Sequence, residues 1–124
     1  MGVRILGVSL LAALALPVGA QAAAPPDPLA ELDAMSRASA TIAPGMALAR
    51  GQIANGELLG ALATLERVLT YHPESDEALL LHASLTCRVD DRGGALIEFE
   101  ALDPDRVGDA RWREATASCH TVRR

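Results

Sequence analysis

The sequence contains no lysine: all 11 basic residues are arginine, set against 16 acidic ones. The arginines form no large cluster, so the footprint that nucleic acid or an anionic membrane surface requires is missing. Rings are equally scarce, with Tyr71, Phe99 and Trp112 the only three aromatic residues. A core drawn from Ala, Leu and Val suits close-packed helices better than a sheet. Cysteine occurs twice, at Cys87 and Cys119, without a Cys-x-x-Cys pair, which excludes thioredoxin-like redox and c-type haem signatures. The spacing of His82, Cys87, Cys119 and His120 fits no zinc motif. No serine sits in a G-x-S-x-G elbow, and no glycine-rich phosphate loop is present. The acidic pairs Asp90-Asp91 and Asp103-Pro-Asp105 fall in turns, where aspartate caps helices for local reasons. No catalytic residue, metal or cofactor is therefore expected, and the chain reads as a non-enzyme.

One uncharged apolar run is present, over 5–16. At about 12 residues it is shorter than the roughly 20 that a spanning helix needs. Arg4 precedes it, Pro17 and Gly19 break it, and Ala20-Gln21-Ala22 supplies an A-x-A cleavage signal. Cleavage after Ala24 fits equally. The expectation is a signal peptide over 1–22 or 1–24, export to the periplasm or beyond, and no stable membrane insertion afterwards. Removing 1–22 leaves 102 residues, one small domain. Ten arginines then face 16 acids, a net charge of −6.

A flexible leader is expected over 23–45. It starts in Ala-Ala-Pro-Pro-Asp-Pro, admits a short amphipathic helix over 29–35, and ends in the turn signal Pro44-Gly45. Helical periodicity then predicts helices over 46–54, 58–71, 78–88, 94–102 and 109–119. Asn55-Gly56, the stretch 72–75, the stretch 90–93 and the Asp103-Pro104-Asp105 stop separate them. Ser75 is the expected N-cap of the third. The helical domain spans 46–120, and 121–124 form a tail. The fold class is all-α, an antiparallel stack of helical hairpins closed by a C-terminal capping helix.

Two of these hairpins echo one another. Gly60-Ala61-Leu62 recurs 34 residues later as Gly94-Ala95-Leu96, Glu66 as Glu100 and Ala49 as Ala83. Leu65 and Val68 map onto Phe99 and Leu102. Small side chains let paired helices approach, and the larger group one turn on fills the space beside them. The 34-residue period, the Ala95-x-x-x-Phe99 step and Pro73 twelve residues after Ala61 resemble the tetratricopeptide-repeat family. The resemblance covers about 46–119, some two and a half repeats. The family's Trp, Leu-Gly and Tyr positions in the first helix are here Gly45, Leu48-Ala49 and Gln52, then Leu79, His82-Ala83 and Thr86. The competing fold is an alanine-rich helical bundle.

The resemblance implies that first helices of successive repeats lie side by side and parallel. Cys87 and Cys119, 32 residues apart, then fall near the same end of neighbouring helices, and a disulfide between them is expected. It also implies a concave first-helix face that receives a protein or peptide partner. That face would carry Met46, Arg50, Ile53, Glu77, Leu80, Ser84, Arg88, Arg111 and Glu114. Arg50, Ile53, Leu80, Ser84, Arg88 and Arg111 are the expected partner-binding residues, with Arg67 and Arg106 outside the strip. An adapter or scaffold in the bacterial envelope is the implied role. A structural subunit dedicated to one complex is the alternative.

Overall fold

The computed structural model describes residue 25 and residues 27–120. The expectations on the signal peptide, 1–22 or 1–24, and on the tail 121–124 lie outside them. Among the described residues seven helices follow one another: α1 (Pro28–Ala38), α2 (Ile42–Ala54), α3 (Leu58–Tyr71), α4 (Asp76–Arg88), α5 (Arg92–Glu100), α6 (Pro104–Val107) and α7 (Asp109–His120). No strand occurs among the described residues. The fold is all-α, built of packed helical hairpins: α2 packs on α3, α4 on α3 and α5, and α7 against α4. The sequence period reappears in the element bounds. α2 runs over 42–54 and α4 over 76–88, both ends displaced by 34, and α3 and α5 begin 34 apart at 58 and 92.

The turns repeat in the same step. After α2, the Gly56 amide donates to Ile53 O at 3.0 Å and the Glu57 amide to Gln52 O at 2.8 Å. After α4, the Asp90 amide donates to Cys87 O at 3.2 Å and the Asp91 amide to Thr86 O at 3.1 Å. Both are Schellman turns, whose pivot must adopt a left-handed conformation. Gly56 does so at φ 80°, where glycine has no Cβ penalty, and Asp90 at φ 72°. Asp91 then caps α5, its Oδ1 accepting from the Gly94 amide at 2.9 Å. Ser75 caps α4 as expected, accepting from the Ala78 amide.

Three segments differ from the expected elements. α1 runs over 28–38, longer than the 29–35 stretch, with the Asp27 side chain accepting from the Leu29 amide at its start. Pro44 and Gly45 do not form a turn but occupy the first turn of α2. Proline is tolerated there because the early amides lack helical partners. Gly45 is buried, and a Cβ on it would run into a Val68 methyl, so its smallness serves helix packing rather than a turn. α5 runs over 92–100 rather than 94–102, and the stretch after it also continues differently: Asp103 caps α6, a single turn ending at Gly108 with φ 89°.

Two apolar clusters share α4. The first joins Met46, Ala49, Ala61, Leu65 and Val68 of α2 and α3 to Ala78 and Leu85. The second joins Leu80, Ala83 and Cys87 to Ala95, Phe99, Leu102, Ala115 and Cys119. All four alanines expected at helix contacts, Ala49, Ala61, Ala83 and Ala95, are fully buried. Within the first hairpin the Thr64 hydroxyl donates to Gln52 Oε1 at 2.8 Å, satisfying both buried groups. In the second, Trp112 meets Phe99 edge to face, centroids 5.5 Å apart.

Candidate functional site

The first turn of α4 carries Asp76 and Glu77, acids placed where the positive end of a helix favours them. Each holds an arginine from another element. Arg50 of α2 pairs with Glu77, and Arg106 of α6 with Asp76 at 3.0 Å. Between these pairs and α7 lies a groove of about 460 Å³. Leu80, Leu81, Val107 and Ala115 contribute its apolar surface, and Ser84, Arg111 and Glu114 add polar groups. Such a mixture of apolar lining and a few polar groups is the usual make-up of a recognition site.

The expected strip is brought together in part. Arg50, Leu80, Ser84 and Arg111 line the groove, together with Glu77 and Glu114. Ile53 is half-buried and packs on the α2–α3 cluster, while Met46 is wholly within that core. Arg88, the last residue of α4, is exposed and does not line the groove. Arg106, expected outside the strip, does line it. The one-turn helix α6 puts it there, and nothing in the 34-residue register announces that turn. Asp76 stands in the first turn of α4 and takes its arginine partner from α6, a pairing with no local signature in the sequence.

The arginines of the groove are not equivalent. The charges of Arg50 and Arg106 are already met by Glu77 and Asp76. Arg111, exposed on α7, has no ion pair among the described residues. A carboxylate entering the groove therefore meets its least committed guanidinium there, able to bind through two parallel hydrogen bonds.

α7 owes its place to several contacts. Cys87 and Cys119 form the expected disulfide, with Cα atoms 5.0 Å apart, and both are buried. Ser84 Oγ and Ser118 Oγ lie 2.8 Å apart across the same helix pair. The wall bearing Arg111, Glu114 and Ala115 is thus fixed covalently to α4.

His82 is a further polar group packed between helices. Its Nδ1 lies 2.7 Å from Glu98 Oε2 of α5, and its Nε2 lies 3.8 Å from Glu66 Oε1 of α3. Nε2 is buried without a hydrogen-bond partner among the described residues. The 2.7 Å pair joins α4 to α5 within the second hairpin, and only the longer Glu66 contact reaches across to the first. No group of three or more His, Cys, Asp or Glu side chains is arranged to hold a metal ion among the described residues. No helix among them is long and apolar enough to cross a membrane. Compared with protein-family models, with curated proteins and with solved structures, the chain matches none.

Proposed function

We propose that this chain is an exported, tetratricopeptide-like interaction protein that holds a segment of a partner protein in the groove between α2, α4, α6 and α7. The observation that carries this reading is the groove itself, an apolar trough edged by two internal ion pairs and one uncommitted arginine, Arg111. A short peptide or helix presenting one apolar side chain and one carboxylate fits that chemistry. The 34-residue displacement of both ends of α2 and α4 supports the repeat reading. The Cys87–Cys119 bond suits an oxidising compartment, as the signal-like leader does. An adapter or scaffold role in the bacterial envelope follows from that combination.

The test is a photo-crosslinker at position 84, inside the groove, with envelope extract as the source of partners. The expected result is a crosslinked protein that is lost in Arg111→Glu and kept in Arg88→Glu, whose side chain lies outside the groove. Many crosslinked proteins identify an adapter, and one stoichiometric protein a dedicated subunit. Equal capture by the Arg111 and Arg88 variants would place recognition elsewhere.

A further inference from the structure

We propose that the cleft between α1 and α3, on a different helix pair from the groove, is a self-association face whose occupant is the same cleft of a second copy. α1 buries none of its residues, and Leu29 and Leu32 on it are 72% and 61% exposed. Leu59 of α3 is 73% exposed and shares one helical face with Ala63 and Arg67 at steps of four. Ala63 and Arg67 line the cleft with Leu32, Asp33, Met35 and Ser36. Leu32 lines the cleft itself, while Leu29 stands one turn before it on α1 and Leu59 one turn before Ala63 on α3. Single exposed leucines are ordinary, but exposed leucines on both helices beside one cleft mark a surface that gains by being covered.

The charges on that cleft select the occupant. The Arg67 side chain is held by hydroxyls alone, its Nε donating to Ser39 Oγ and an Nη to Ser36 Oγ, each at 2.9 Å. Its positive charge has no carboxylate partner among the described residues, and Asp33 on the opposite wall has no cation. The two line the same cleft without pairing inside one chain. A two-fold axis through the cleft sets each Asp33 against the Arg67 of the other copy, so one patch supplies both halves of the match. The same axis buries Leu32 and Leu59 of each copy together. A nucleic acid would leave Asp33 repelled, and a purely acidic or basic partner would satisfy only one of the two charges.

The full chain is expressed with its native leader, and the processed protein is followed by sedimentation velocity across the micromolar to submillimolar range. The expected result is a concentration-dependent monomer–dimer equilibrium. Leu32→Asp weakens it by at least about tenfold, the effect of removing an anchor from the centre of an interface. Asp33→Arg alone and Arg67→Asp alone each weaken it, and the two together restore it, because the pair is merely exchanged. Circular dichroism on each variant separates lost association from lost helix, and Asp33→Arg removes no contact within the chain. A monomer throughout, with or without another protein bound to the cleft, overturns the proposal. So does a dimer indifferent to Leu32→Asp, or a charge exchange that restores nothing. The groove test above is independent, since position 84 and Arg111 lie on other helices.

Discussion

Asp90 shows how a repeated turn can be kept after its ideal residue is lost. Gly56 and Asp90 hold the same pivot 34 residues apart, at φ 80° and 72°, but only glycine, which lacks a Cβ, does so without steric cost. Aspartate is among the few residues that tolerate this conformation, at a cost of order 1 kcal/mol. Asp90 is exposed, so its side chain gives little back. Asp90→Gly is therefore expected to raise stability by about 0.5–1 kcal/mol in urea unfolding, less what glycine adds to unfolded-state entropy. No gain, or a loss, would mean that the carboxylate contributes more to the turn than its conformation costs. At His82 the expectation reverses. His82→Ala leaves Glu98, half-buried beside it, without its 2.7 Å partner, and should cost about 1–3 kcal/mol in the same measurement. The sequence placed both residues on the right elements, since turn chemistry and helical spacing are local. It did not reveal that His82 faces Glu98 and Glu66, because those contacts come from two other helices. Asp76 and Arg106 were hidden for the same reason, their pairing depending on how α6 turns back toward α4.

At the scale of elements, the legible helices were those with their own stripe and cap. α3, α4 and α7 follow from spacing, Ser75 and the glycine or aspartate stops. α1 was expected, though drawn shorter than its 28–38 span, and the start of α2 was missed because Pro44-Gly45 is ambiguous: the pair that makes a turn in one setting opens a helix in another. What decides is tertiary, the close approach of Gly45 to Val68. Gly45→Ala tests that reading. The added methyl collides with Val68 in a filled core and should destabilise by about 1–3 kcal/mol, despite alanine's better helix propensity. A stabilised variant would show that α2 and α3 can move apart. α7 depends on a different device. Closing a 32-residue separation with the Cys87–Cys119 bond contributes about 3–4 kcal/mol in the chain-entropy account. Cys119→Ser should lower stability by that order, and hydrogen exchange should show α7 losing protection before α2 and α3. Uniform loss across all helices would mean that the bond serves the whole stack rather than its end.

At the largest scale, cooperativity rests on α4, the one helix among the described residues that enters both apolar clusters. It gives Ala78 and Leu85 to the α2–α3 side and Leu80, Ala83 and Cys87 to the α5–α7 side. In stacks of helical hairpins, stability is approximately a sum over units and their neighbouring interfaces, so damage at an end stays local and damage at a shared helix does not. Leu85 and Phe99 make the comparison direct, since each is a large buried side chain and only Leu85 sits on the shared helix. Leu85→Ala should cost about 2–5 kcal/mol and Phe99→Ala about 3–5 kcal/mol, so total destabilisation alone hardly separates them. Their distribution does. Native-state hydrogen exchange should show Leu85→Ala lowering protection from α2 through α7, because the helix that joins the clusters is loosened. Phe99→Ala should lower it in α4, α5 and α7, where Trp112 loses its edge-to-face partner, and leave α2 and α3 nearly unchanged. Identical protection maps for the two variants would show a single cooperative unit. In that case the groove, whose walls come from both sides of α4, would open and close as one body rather than through α7 alone.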